Sequence, residues 1–373
     1  MKKLGFGIMR LPLLDKSDES TVDVERAKEM VDLFLARGFT YFDCAWMYHG
    51  GRSESLAKEL LVDRYPRESF TLATKMHAVF FETAEQREEI FNKQLEKTGA
   101  GYFDYYLLHG VSSGNIEKYE KFDSFRWMQE KKELGLVRHI GFSYHADAKL
   151  LDDILARHPE VEFVQLQINY LDWESEWVQS RACYETARRH GLPIVVMEPV
   201  KGGTLTKLPR EAAELFRSKA PDMSPASWAI RFAASLEGVM VVLSGMSDLR
   251  QVEDNLGFMD NFTPLDADEI ALTRRAAEMI TARIAVPCTG CSYCTGGCPK
   301  NIPIPQYFSL YNDIAREDME EKVWTAGYGS YDLLAKKFGR ARDCVACGQC
   351  ETVCPQHLPV IERLKDVSAS FDN

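Results

Sequence analysis

Apolar and polar positions follow two periods through the first 260 residues. Short, densely apolar or alternating runs predict strands, and apolar residues recurring at three and four predict helices. Val24, Ala27, Met30, Val31, Phe34 and Leu35 have the helical spacing and predict a helix over 24–37. Strands are predicted at 40–44 (TYFDC), 70–75 (FTLATK), 102–109 (YFDYYLLH), 137–143 (VRHIGFS), 163–169 (FVQLQIN), 193–198 (PIVVME) and 239–244 (VMVVLS). Helices are expected between them: at 53–62 with Ser53 as N-cap, at 85–98, 123–134 and 149–157, from Trp177 to His190, in pieces around 210–217 and 225–235, and at 249–257. The count of strands reaches eight if the Leu4–Ile8 region supplies one. Eight strand–helix alternations favour a closed (β/α)8 TIM barrel over an open doubly wound sheet. The G-x-G-x-x-G fingerprint of the open dinucleotide-binding alternative is missing.

A barrel takes about 250 residues, and the chain has 373. A helix predicted over 266–284 leads out of the barrel, and Pro287 opens a segment of different character. The expected organisation is a barrel over 1–280 and a second domain over 281–373. Hydrophobic residues make up 45% and charged residues 27%, which supplies a sizeable core and excludes a mostly disordered chain. With 45 Lys and Arg against 56 Asp and Glu the net charge is −11, and this excludes a general nucleic-acid binder, which needs a basic footprint. No run reaches the ~18 apolar residues of a membrane span, and none near the N-terminus resembles a signal-peptide core. A cytoplasmic location without a membrane span is expected.

Polar residues cluster where predicted strands end. Asp43 ends one strand and Tyr48 follows it, Lys75 ends the next strand, and His109 the one after. Strand C-termini converge at the active end of a barrel. Singly, a strand-end His or Lys is more often structural or solvated; an acid, a phenol, an amine and an imidazole on three successive strands are a specific arrangement. An ammonium beside a phenol lowers its pKa, a carboxylate holds the ammonium charged, and an imidazole can orient a substrate oxygen. Together they can protonate a carbonyl oxygen while hydride arrives at carbon.

These residues lie in the stretches FDCAWMYHGGRSE (42–54), TLATKM (71–76), DYYLLHG (104–110), IGFSYH (140–145), LQINY (166–170) and VVLSGMSDLRQVEDNLGF (241–258). In order and spacing they resemble the aldo-keto reductase family over residues 1–265. The resemblance implies a nicotinamide cofactor, NADP or NAD, bound without a Rossmann domain, and a small-molecule carbonyl or alcohol substrate. It implies a catalytic tetrad of Asp43, Tyr48, Lys75 and His109, with Tyr48 as general acid/base. Ser143 and Gln167 match the carboxamide-holding positions. The loop Val200-Lys201-Gly202-Gly203 and the segment from Gly245 to Asn255 match the pyrophosphate and adenosine-phosphate regions, with Gly245, Met246, Ser247, Gln251 and Asn255 as the contacts in that segment. The chain departs from the family at Tyr144, where Asn often follows the Ser, and at Met197, where an aromatic residue commonly stacks on the nicotinamide.

Eight of the ten cysteines lie between Cys288 and Cys354, while Cys44 and Cys183 stand apart and Cys44 reads as core. The runs are Cys288-x2-Cys291-x2-Cys294-x3-Cys298-Pro and Cys344-x2-Cys347-x2-Cys350-x3-Cys354-Pro. This is the bacterial ferredoxin spacing for [4Fe–4S] clusters, in which the fourth cysteine of each run serves the other cluster. It pairs Cys288, Cys291 and Cys294 with Cys354, and Cys344, Cys347 and Cys350 with Cys298. The alternative is structural zinc, since C-x2-C pairs also build four-cysteine zinc sites, but the C-x3-C-P endings favour clusters. Helical patterns at 306–316 and 331–338 between the runs resemble a mainly helical, dicluster ferredoxin-type domain.

A nicotinamide delivers two electrons as hydride, whereas each cluster passes one. A flavin is the usual converter, and no signature indicates one. The expected activity is hydride transfer of aldo-keto reductase type, with two clusters serving a redox partner protein, regulation or stability. The alternative is an electron-transfer protein that holds a flavin or redox substrate in the barrel and exchanges single electrons through its clusters. A third reading, a non-catalytic redox sensor, fits the intact tetrad poorly.

Overall fold

The computed structural model describes residues 2–15, 18–176, 178–316 and 326–372. Eight parallel strands form a closed barrel in the order β1 to β8. They are β1 (Leu4–Gly7), β2 (Tyr41–Asp43), β3 (Thr71–His77), β4 (Phe103–Val111), β5 (Val137–Tyr144), β6 (Phe163–Gln167), β7 (Ile194–Met197) and β8 (Val239–Ser244). Helices at Val24–Ala36, Ala84–Thr98, Ser124–Glu133, Ala148–Arg157, Ser180–Arg189, Pro225–Ser235 and Leu249–Met259 follow strands as the apolar periods predict. Trp177, where one helix was expected to begin, lies outside the described residues. Ser53 does not cap its helix: Arg52 before it is already helical (φ −94°, ψ −12°), so Ser53 falls inside the first turn.

The barrel interior is filled by side chains, not solvent. Tyr41, Ala73, Leu107, Phe163, Val195, Val241 and Leu243 form one buried cluster inside it. Large residues fit because small ones face them. A Cβ at Gly5 would stand 2.7 Å from Val241 Cγ1, and one at Gly141 would stand 2.4 Å from the Phe163 carbonyl oxygen. Layers of alternating bulk are how an eight-stranded parallel barrel closes on itself.

The chain divides into two compact units: 1–199 with 226–270, and 200–225 with 271–373. The segment that follows β7, Val200–Pro225, clusters with the C-terminal residues. The second unit is mainly helical, with helices at Arg210–Lys219, Ile304–Arg316, Ala326–Leu334 and Val360–Phe371. Its own core includes Val286, Ile302, Tyr307, Phe308, Tyr331, Leu364 and Phe371. The Tyr331 and Phe371 rings stack at 4.7 Å. Buried Asn312 fixes the approach to the first cysteine run: its Oδ1 accepts the Val286 N–H at 2.8 Å, and its Nδ2 donates to the Val286 carbonyl at 2.6 Å. Among the described residues no helix is long and apolar enough to cross a membrane.

Candidate active site and cluster cavities

The strand ends bring the four expected residues together. Asp43 is the last residue of β2, Lys75 lies near the end of β3, and His109 near the end of β4. Lys75 is fully buried, and its ammonium donates to Asp43 Oδ1 and, at 2.9 Å, to the Cys44 carbonyl. A buried ion pair holds only when its remaining polar atoms find partners. The second Asp43 oxygen, Oδ2, has none among the described residues. The ammonium stands 5.1 Å from the Tyr48 ring centroid, and the Tyr48 and His109 rings meet edge-on at 5.6 Å. His109 Nδ1 is also buried without a partner among the described residues.

The electrostatics differ from the sequence expectation in one respect. Tyr48 is held well above the ordinary phenol value, first by burial and then by the nearby Asp43, Cys44 and Glu198; Arg10 opposes them. Any lowering by Lys75, 5.1 Å from the ring, is outweighed by burial. The phenol is therefore a held proton. Burial, helped by Lys75 and the neighbouring histidines, pushes His109 well below 6.5, so its imidazole is neutral near pH 7.

Three neighbours were missed in the sequence. His77 lies two residues beyond Lys75 on β3, so the strand period turns both toward one face. Its ring centroid is 5.9 Å from that of His109, and burial pushes it down to about 4. Strict alternation from Lys75 was the available signal. Glu198 follows β7 with φ 57°, an unusual backbone for a non-glycine residue, and nothing in the sequence pattern announced it. Tyr119 is the third: its hydroxyl donates to the His109 carbonyl at 2.7 Å and accepts the Ala78 N–H at 2.9 Å, bracing two strand ends.

The nucleotide candidates fall in three groups. Ser143 and Gln167 are buried at the ends of β5 and β6. Ser143 Oγ accepts the Gly110 N–H at 2.8 Å, and Gln167 Nε2 makes a long 3.3 Å bond to Asp172. A hydroxyl and an amide at adjacent strand ends suit the donor and acceptor of a carboxamide. After β8, Met246 is fully buried. Ser247 N–H donates to Gln251 Oε1 at 2.8 Å, Asn255 Nδ2 donates to Ser244 Oγ at 2.7 Å, and the Asp248 carboxylate caps the helix that follows. A Cβ at Gly245 would stand 2.7 Å from Arg10 Cγ. Val200 and Gly202 lie in the second unit. Gly202 has φ 61°, and a Cβ there would stand 1.9 Å from the Thr289 carbonyl oxygen. Its glycine is thus required by packing within that unit.

None of the ten cysteines, all among the described residues, is in a disulfide. Cys288, Cys291, Cys294 and Cys354 line one cavity. Cys298, Cys344, Cys347 and Cys350 line a second. The fourth cysteine of each run therefore stands with the other run. Backbone N–H groups approach sulfur at Gly290 (3.4 Å to Cys288) and Ile302 (3.5 Å to Cys298). Burial pushes the Cys288 thiol up to about 12 and the Cys350 thiol to about 11, so holding them as thiolates calls for bound positive charge. Four thiols around a cavity are the donor set of a [4Fe–4S] cubane. Zinc instead gathers its thiolates at about 2.3 Å from one point. Among the described residues no three His, Cys, Asp or Glu side chains gather closely enough to hold a single ion.

Comparison with known proteins bears on both units. The profile of the aldo/keto reductase family matches residues 3–278, and that of a 4Fe-4S dicluster domain matches 287–358. An aldo-keto reductase of Mycolicibacterium vanbaalenii is 27% identical over 274 residues, 70% of this chain and 90% of the relative. An uncharacterized oxidoreductase of Bacillus subtilis is 24% identical, over 69% of this chain and 86% of its own. Among solved structures, an aldo-keto reductase of Bacillus halodurans in its holo form superposes with a TM-score of 0.59 at 24% identity, over 74% of this chain and 91% of that one. One from Klebsiella pneumoniae in complex with NADPH gives 0.59 at 17% identity, over 73% and 90%.

Proposed function

The chain belongs to the aldo/keto reductase family, and from that premise we propose that it transfers hydride between NADP or NAD and a small carbonyl or alcohol, while eight cysteines of a 4Fe-4S dicluster domain hold two [4Fe–4S] clusters. The observation that carries the reading is the Tyr48 hydroxyl, held protonated by burial beside the Lys75–Asp43 pair and edge-on to the neutral His109 ring. A bound reduced nicotinamide supplies the hydride. Tyr48 gives its proton to the carbonyl oxygen as negative charge develops there. Lys75, paired with Asp43 and 5.1 Å from the Tyr48 ring, stabilises the resulting phenolate. Glu198 and Asp43 disfavour that phenolate and so keep the proton in place until the oxygen demands it. Neutral His109 orients the substrate oxygen. Ser143 and Gln167 hold the carboxamide, and Gly245, Met246, Ser247, Gln251 and Asn255 offer backbone and side-chain groups to the adenosine phosphate.

The test is Tyr48→Phe in full-length protein purified anaerobically, assayed with small aldehydes and ketones. Loss of general-acid catalysis lowers kcat by about 10²–10⁴-fold, while nucleotide binding, read by fluorescence, is retained. Reduction at the wild-type rate would falsify the assignment. Because His109 lies below 6.5 and Tyr48 above 10.0, the wild-type reduction rate should be flat in pH between those values.

A further inference from the structure

Lys201 is an unusual place to keep a charge. Its side chain is 2% exposed, and its ammonium donates to Gln356 Oε1 at 3.1 Å inside the second unit. Its backbone is left-handed at φ 47°, and the two glycines after it are also at positive φ. A lysine held there strains the backbone, and burying an ammonium is costly as well. Something must offset both.

The surroundings point to what that is. Gln356 lines the cavity shared by Cys288, Cys291, Cys294 and Cys354, and so does Thr289, whose carbonyl packs against Gly202. The other cavity is lined by a single cationic residue, Lys300, which is exposed, as is its Cys347. The two thiol sets therefore sit in unlike fields.

We propose that Lys201 sets the reduction potential of the cluster held by Cys288, Cys291, Cys294 and Cys354, its buried ammonium stabilising the reduced form of that cluster and not of the other. The proposal rests on the reading that the cysteines hold two clusters. Reduction adds one electron to a group already surrounded by four thiolates, inside a cavity with little water. Net charge and solvent exposure set cluster potentials, and a buried cation beside the thiolates favours the extra negative charge most where screening is weakest. Gln356 acts as the positioning residue: its carbonyl oxygen fixes the ammonium at the cavity wall.

The test is a potentiometric titration of anaerobically purified full-length protein, followed by EPR, with iron and sulfide measured on the same samples. In Lys201→Gln one midpoint should fall, the reduced-to-oxidised ratio of that cluster at fixed potential dropping at least tenfold, equivalent to about 59 mV for one electron. The other midpoint and the iron content stay at wild-type values, and Lys201→Arg restores the first midpoint. Gln356→Glu, which neutralises the ammonium in place, should lower the same midpoint and stands in if Lys201→Gln loses iron. Unchanged midpoints in both charge-altering variants, or equal movement of both clusters, overturn the proposal. Wild-type protein that binds zinc and carries no sulfide overturns the cluster reading instead.

Discussion

Glu54 is the residue whose burial is hardest to justify by the proposed chemistry. It is fully buried beneath the tetrad strands. Its Oε1 accepts from Thr74 Oγ1 at 2.8 Å and from Gln94 Nε2 at 2.5 Å, while Tyr106 donates to Gln94 Oε1 at 2.6 Å. Gln94 also donates to the carbonyl of Lys75 at 3.1 Å, so the network supports the strand that carries the lysine. Oε2 has no partner among the described residues. Burial outweighs the hydrogen bonds and raises the carboxyl from 4.5 to about 6. A folded pKa above the unfolded one means that the protonated form is favoured on folding. Its stabilising contribution is complete below pH 4.5 and is lost as pH rises through about 6. Glu54→Gln keeps the accepting oxygen and removes the ionisation. Relative to wild type, the variant should therefore gain about 2 kcal/mol between pH 4.5 and pH 7, measured as the difference between their urea unfolding free energies at the two pH values. A gap that does not change with pH sinks this account.

At the scale of strands, the fold was legible because each strand is a short apolar run between polar ends, and all eight fall within a few residues of the expected positions. The glycines inside those runs were not legible, since their reason is a partner distant in sequence. Gly5 and Gly141 look alike in the sequence but are held by different atoms. A Cβ at Gly5 meets the side chains of Val241 and Leu243, whereas one at Gly141 meets the Phe163 carbonyl before it meets the Phe163 ring. Overpacking of this kind costs about 1–3 kcal/mol. Gly5→Ala should be partly rescued by Val241→Ala, which removes one of the two colliding side chains and leaves Leu243, itself a movable side chain. Gly141→Ala should not be rescued by Phe163→Leu, because a backbone oxygen cannot be trimmed. Thermal unfolding of the two single and two double variants decides it; equal rescue in both pairs contradicts the distinction. The Ser53 expectation failed at this same scale. Its spacing is that of a cap, but the turns at 48–52 have already set the helix running.

For the whole molecule, the sequence divides at the cysteine block, yet the structure's second unit also takes in 200–225. Nothing in the local pattern of PVKGGTL announces the packing on Thr289 and Gln356, which depends on tertiary contacts alone. That membership has a consequence for cluster loss. Each cavity draws cysteines from both runs, so each cluster ties together segments far apart in the chain, and metal that binds only the folded form stabilises it by its binding free energy. The second unit has a modest core of its own, in which Cys350 is itself a member. Removing the iron anaerobically with a chelator should therefore loosen this unit while the barrel, whose strands pair only with one another, keeps its protection. Residues 200–225 should follow the cysteine domain and not the strands that flank them in sequence. Hydrogen exchange read by peptide mass spectrometry before and after chelation measures this directly. Faster exchange in 200–225 together with 284–312 and 341–372, at unchanged exchange in β1 to β8, is the expected result. If 200–225 instead stays as protected as β7, the segment draws its order from the barrel, and its assignment to the second unit is wrong.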